Sequence, residues 1–175
     1  MCGVPGRVDY SINMQNKIDI VKEMAESMSK RGPDESGMWF DRHACFGHKR
    51  LTVVDPEGGK QPMSKQSAKG LFTICYNGEL YNTEELRKDL LLKGYSFKGH
   101  SDTEVLLTSY IEWKEKAVEL LNGIYAFAVW DHDKEELFIA RDRLGVKPLF
   151  YKEVGKGVVF GSELKAILAH PDVQP

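Results

Sequence analysis

The sequence predicts an α+β fold in which two antiparallel sheets carry helices on their outer faces. Three observations point there. The last third of the chain runs as strand-like stretches, "IYAFAVWD", "ELFIARD", "PLFYKEV" and "GVVFG", joined by links as short as "HDKE" and "GK". Links that short close antiparallel hairpins. Other strand-like stretches open the chain and fill residues 37–79, and most of the helical pattern lies between the two groups. Two stacked sheets with helices outside would bury every apolar face this pattern contains.

Element by element, the opening residues read as a strand. "QNKIDIVKEMAESMSK" places Ile18, Val21, Met24 and Met28 on one helical stripe. "RGPDESG" is a loop punctuated by Gly and Pro. Strands follow in "GMWF", "ACFGHKRLTVV" and "LFTICYNGE", with "DPEGGKQP" a polar turn between the last two. "NTEELRKDLLLKG" has helix ends: Asn82 as cap, Glu85 three residues on, and Gly94 after the last turn. "SDTEVLLTSYIEWKEKAVELLNG" repeats this as a longer helix, with Ser101 and Glu104 as a capping box and Gly123 at its end. Ser162 is the expected cap of a short last helix, "SELKAILAH". The polar tail "AHPDVQP" reads as a linker cut short. The expected division is a folded domain over 1–169 and the start of a linker over 170–175, with the chain as the front part of a longer protein.

A chain of 175 residues, 42% hydrophobic, is long enough for one domain with a real core. Its 24 basic and 26 acidic side chains leave a net charge of −2 and no basic stripe, so no nucleic-acid partner is expected. The longest apolar run, "YAFAVW", is too short to cross a bilayer, and the N-terminus lacks the regions of a signal peptide. Three cysteines without a CxxC pair fit a cytoplasmic, reducing location. Cys45 and Cys75 sit in apolar strands as small buried residues. In "HACFGH", His43 and Cys45 share one strand face and His48 takes the other, so three ligands do not converge and no metal is expected.

Cys2 stands directly behind the initiator methionine. Removal of Met1 would place a thiol and a free α-amine on one residue, the parts of a self-contained nucleophile and base. Four polar clusters interrupt the apolar runs downstream: "RGPD", "HKRL", "YNGE" and "HSD". Each alone has a structural reading, such as Asp102 supporting a helix N-terminus. Together with "MCG", "SDTEV", "YAFAVWD", "RDRLGVKPLFY" and "SELKAILAH", in this order across the whole chain, the set resembles the class II glutamine amidotransferases. "RGPD", "HKRLTVVD" and "YNGELYN" are similar to the glutaminase domain of glutamine-hydrolysing asparagine synthetases.

The resemblance implies an N-terminal nucleophile hydrolase fold, a four-layer α/β/β/α sandwich, and hydrolysis of L-glutamine to L-glutamate and ammonia. Cys2 would be the nucleophile and its own amine the base, through a bridging water if direct geometry is poor. An α-amine titrates at about 7.7–8.0, so a neutral fraction exists at physiological pH. The Asn77 side-chain amide and the Gly78 backbone N–H would hold the oxyanion. Arg50 would take the substrate α-carboxylate, Glu79 and Asp102 its α-ammonium, and backbone near Leu51 and Val53 would complete the pocket. His48 is a weaker alternative base. Arg31 and Asp34 are expected to brace the loop over the site. Arg141, Asp142 and Lys147 are either interface residues or a solvated hairpin turn. The resemblance implies no cofactor or metal in this domain. ATP and Mg²⁺ belong to a synthetase domain whose Ser-Gly-Gly pyrophosphate loop this chain lacks, and a homodimer is compatible with it. Two alternatives stay open: another ammonia acceptor, or a glutamine-binding module without turnover.

The opening stretch departs from the pattern. Pro5 cannot donate to a sheet ladder, and Arg7 puts a charge where a buried side chain is expected. A bent or edge-exposed first strand follows. With Met1 retained, the α-amine lies on the wrong residue and the chain would be an inactive precursor.

Overall fold

A computed structural model describes residues 1–52 and 57–174. In chain order its elements are β1 (Gly6–Asp9), α1 (Ile18–Glu26), β2 (Glu35–Phe40), β3 (Ala44–Arg50), β4 (Met63–Ser67), β5 (Gly70–Leu80), α2 (Thr83–Leu92), α3 (Asp102–Trp113), α4 (Ala117–Leu120), β6 (Gly123–Asp131), β7 (Glu136–Arg141), β8 (Phe150–Val154), β9 (Gly157–Gly161) and α5 (Leu164–Leu168). Two sheets form, β2-β3-β1-β9-β8 and β4-β5-β6-β7. Every strand pair in them is antiparallel.

Three apolar clusters fill the four layers. Val8, Phe46, Cys75, Ala128, Trp130 and Phe160 lie between the sheets. Val21, Met24 and Met28 of the first helical stretch pack with Cys45, Val159 and Ile167 against the outer face of the first sheet. Leu86, Leu90, Leu106 and Tyr110 pack with Phe72, Ile74 and Phe127 on the outer face of the second. Strand alternation does the sorting. On β3, Ala44 and Phe46 face the other sheet while Cys45 faces helix. On β5, Cys75 faces the other sheet while Ile74 faces helix.

The first strand is neither at an edge nor exposed; β1 lies at the centre of its sheet, between β3 and β9. The expected disturbance is confined to Val4 and Pro5. Gly3 and Lys49 exchange two backbone bonds at 2.8 Å, and the Pro5 carbonyl accepts from the Gly47 N–H at 2.8 Å. The ring nitrogen of Pro5 returns nothing, so one ladder bond is lost and the register kept. Arg7 is buried, and Asp9 on the same face meets its charge at 3.0 Å. Asp9 is itself held by the Ser11 N–H and hydroxyl.

Ser162 does not cap α5, whose N-cap is Glu163. Its hydroxyl instead accepts from the Val4 N–H at 3.0 Å, replacing a ladder partner beside Pro5. Ser162→Ala is expected to leave that buried donor unpaired and cost about 1–3 kcal/mol, read from urea unfolding as a lower midpoint at unchanged slope.

Further expectations need correction. Asn82 makes no side-chain cap on α2; its amide bridges the Leu120 carbonyl (2.9 Å) and the Asn122 N–H (3.0 Å). The long helix from 101 stops at Trp113, because Lys114 adopts φ 53°. That turn sends the Lys114 ammonium over the Phe72 ring (4.1 Å) and to Asp131 (3.3 Å). The polar edge strand β4 and the start of β2 inside "RGPDESG" were not expected. Ser101 does accept from the Glu104 N–H, but Glu104 turns its carboxylate to Lys65 and the Lys98 and Gly99 amides. Within 170–174, the stretch expected to begin a linker, His170 and Val173 are buried. Among the described residues no helix is long and apolar enough to cross a membrane.

Candidate active site

At one end of the gap between the sheets lies a pocket of about 220 Å³. Its walls include Met1, Cys2, Arg50, Leu51, Asn77, Gly78, Glu79 and Asp102. Seven of the eight expected site residues, Cys2 included, therefore reach it from four chain segments. The eighth, Val53, lies outside the described residues. Alternation explains the convergence. Cys2 continues the register in which Gly3 faces Lys49, and Arg50 shares the inward face of β3 with Phe46, as Asn77 shares that of β5 with Cys75.

Cys2 is half-buried and its Sγ lies 3.4 Å from the Leu51 N–H and 3.7 Å from the Leu51 carbonyl. Its carbonyl accepts from Arg31 Nε at 3.1 Å, and the far end of Arg31 pairs with Glu163 at 3.2 Å. Gly32 lies flat on β3: an added Cβ would stand 2.2 Å from the Lys49 carbonyl oxygen. The Asp34 N–H bonds the Arg50 carbonyl (3.0 Å) and its carboxylate accepts from the Thr52 N–H (2.7 Å). "RGPD" thus clips the nucleophile segment to the end of β3, the Arg31 side chain holding the Cys2 carbonyl and Asp34 holding the Arg50 carbonyl and the Thr52 N–H.

The other thiols are remote in kind. Burial pushes Cys45 up to about 12, and burial raises Cys75 still further, so neither is a thiolate source at neutral pH.

Asn77 is buried, and among the described residues its Nδ2 has no hydrogen-bond partner. A buried amide donor without a partner costs stability. Here it stands on the wall of the pocket that holds Cys2. Gly78 admits no side chain, since a Cβ would meet the Ile124 carbonyl oxygen at 2.3 Å and Tyr125 Cα at 2.8 Å.

For a zwitterion the pocket offers charges of both signs. Arg50 is buried and its guanidinium is anchored by Glu35 at 2.9 Å. Glu79 is exposed at the rim. Asp102 receives the Tyr76 hydroxyl at 2.8 Å and the Leu80 N–H at 3.3 Å. Burial raises its pKa, against the lowering effect of those two bonds.

His48 is not on the wall of the pocket that holds Cys2. Its Nε2 lies 3.0 Å from the Tyr76 carbonyl. Burial lowers its pKa to about 4, with Arg50 acting in the same direction and the Tyr76 bond and Glu35 opposing. It is therefore neutral at pH 7 and poorly placed as a base for the thiol. Unfolded, it protonates below about 6.5, while folded it resists protonation until about 4. Stability is expected to fall as pH drops through that window, by on the order of 3 kcal/mol. His48→Gln should flatten this dependence in urea unfolding curves taken between pH 4 and 7.

Some pocket residues were not singled out as site residues from the sequence, Gln61 and Lys147 among them. Gln61 lies in the polar segment before β4, and Lys147, read as an interface or turn residue, also lines the pocket. Asp142 turns inward and ties down the Tyr125, Val146 and Lys147 amides. Among the described residues no group of His, Cys, Asp and Glu is arranged to hold a metal ion.

Residues 1–175 match the family model described as "Glutamine amidotransferase domain". The chain is 56% identical over 174 residues to asparagine synthetase [glutamine-hydrolyzing] 3 of Bacillus subtilis, covering 99% of this chain and 28% of that protein. It is 40% identical to asparagine synthetase [glutamine-hydrolyzing] 1 of the same organism, again over 99% of this chain and 28% of that one. The chain therefore spans under a third of the length of these curated relatives. Among solved structures, glutamine phosphoribosylpyrophosphate amidotransferase from B. subtilis superposes with a TM-score of 0.79 at 23% identity, over 96% of this chain and 43% of that chain. That likeness concerns the fold, the N-terminal nucleophile hydrolase sandwich.

Proposed function

The chain belongs to the glutamine amidotransferase domain family, and on that premise we propose that it hydrolyses L-glutamine with Cys2 as nucleophile. The observation that carries this reading is the buried Asn77 Nδ2, which has no hydrogen-bond partner among the described residues, on the wall of the pocket that contains Cys2. A donor left unpaired in the resting protein is what an oxyanion site requires.

With Met1 removed, the Cys2 amine takes the thiol proton and Sγ attacks the glutamine side-chain carbonyl carbon. The new C–S bond moves the carbonyl electron pair onto oxygen, where Asn77 Nδ2 and the Gly78 N–H receive it. Collapse breaks the C–N bond, and the ammonium on Cys2 gives its proton to the departing amide nitrogen, which leaves as ammonia. Water then adds to the γ-glutamyl thioester, with the amine taking its proton and returning it to sulfur as glutamate leaves. Arg50 holds the substrate α-carboxylate; Asp102 and Glu79 hold its α-ammonium. Neither cofactor nor metal enters these steps.

The names of the relatives support a further step: the ammonia passes to a synthetase domain that makes asparagine. Incubating Met1-free chain with glutamine tests the first part. Stoichiometric glutamate and ammonia are expected; glutamine binding without glutamate release would instead favour a module that has lost turnover.

A further inference from the structure

Tyr76 directly precedes Asn77, and side chains hold its backbone on one flank. The ladder between β4 and β5 ends at the pair Met63 and Ile74. Two residues on, the Tyr76 N–H donates to Gln61 Oε1 at 2.6 Å, and the Tyr76 carbonyl accepts from His48 Nε2 at 3.0 Å. A carbonyl only accepts, so the His48 proton sits on Nε2. The two partners come from different chain segments. Gln61 belongs to the segment before β4 and is tethered through Nε2 to Thr103 Oγ1 at 3.4 Å. His48 belongs to β3 of the other sheet and is buried. On its second flank β5 stays paired with β6, Tyr76 facing Phe127 and Asn77 facing Ala126.

These contacts fix two consecutive peptide planes. The Tyr76 carbonyl lies in the plane it shares with the Asn77 N–H, and the Tyr76 N–H in the plane before it. Cβ of Asn77 leaves the backbone between the His48-held plane and Gly78. A rotation of that plane swings the Asn77 amide along the pocket wall.

We propose that His48 and Gln61 are positioning residues of the glutaminase reaction, a pair that locks the peptide planes around Tyr76 and so aims the Asn77 amide at the substrate carbonyl oxygen. This rests on the reading of Asn77 as an oxyanion donor. Neither side chain needs to touch glutamine. Misaiming such a donor by about 1 Å is worth on the order of 10²-fold in rate, so their effect falls on the transition state and not on substrate affinity.

The test uses Met1-free chain and steady-state glutamine hydrolysis. His48→Phe keeps a buried ring and removes the donor; it should lower kcat about 10–100-fold with KM little changed. His48→Gln, whose amide can donate, should restore most of the loss. Gln61→Met, at a half-buried position, should lower kcat the same way without depending on the β3 core. Alkylation of Cys2 by iodoacetamide, which needs no oxyanion donor, should keep its parental rate in all three. In an Asn77→Ala background, His48→Phe and Gln61→Met should cost little more. Losses that multiply with Asn77→Ala in an active parent overturn the positioning role alone. His48→Gln as impaired as His48→Phe does the same. A parent that releases no glutamate overturns the glutaminase reading and this proposal with it.

Discussion

Replacing Cys2 by alanine is expected to abolish glutamate release, by at least about 10⁴-fold, while glutamine still binds. The loss is large because the nucleophile and its base work as one unit, and removing such a member leaves only binding and oxyanion stabilisation. The other thiols cannot substitute, since Cys45 and Cys75 are buried and their pKa values pushed up. Binding should persist because Arg50, Glu79 and Asp102 line the pocket from β3, β5 and α3. The fold should tolerate the change as well. Among the described residues Cys2 Sγ makes two long contacts, with the Leu51 N–H at 3.4 Å and the Leu51 carbonyl at 3.7 Å, and sulfur is a weak donor and acceptor. Calorimetric glutamine binding beside a glutamate assay separates the two effects. Turnover surviving in Cys2→Ala would remove Cys2 from the chemistry.

Asn77→Ala is expected to lower kcat about 10²–10³-fold. Its signature lies in what does not change. An ordinary buried amide spends its donors on the fold, so its removal destabilises by about 1–3 kcal/mol. Asn77 Nδ2 has no such partner among the described residues. The melting midpoint should therefore stay within about 3 °C of the parent, which for a domain of this size corresponds to about 1 kcal/mol. KM should also change little, because the donor meets charge only as the tetrahedral intermediate forms. A large KM increase with kcat preserved would make Asn77 a ground-state binding residue.

Both residues were legible in the sequence for different reasons. Cys2 announces itself by position. Asn77 and Gly78 are ordinary turn residues in isolation, and only the ordered set of motifs lifts them out. The sandwich was legible because apolar runs with short links carry their own periodicity, and inward residues at every second position bring Cys2, Arg50 and Asn77 to one gap. What escaped was what depends on bonds between distant segments. Ser162 looked like a helix cap by local pattern, yet its hydroxyl serves Val4, 158 positions away. Asn82 likewise serves Leu120 and Asn122. Gln61 sits in a polar stretch, and its role depends on β4 ending two residues short of Tyr76. The strand β4 itself, "MSKQS", has a single large apolar residue, because an edge strand is held mostly by backbone bonds on one side. Pro5 and Arg7 suggested a displaced first strand, but a carbonyl, a hydroxyl and Asp9 absorb them at the centre of the sheet.

Met1 lines the same pocket as Cys2 and is 55% exposed. With Met1 in place the α-amine sits one residue from the thiol that needs it, at the mouth of the substrate cavity. The most direct measurement is therefore glutamate release by two preparations of the chain whose intact masses establish that Met1 is absent in one and present in the other. Hydrolysis by the Met1-free chain alone is the expected result. Equal hydrolysis by both would contradict the assignment of the Cys2 amine as the base.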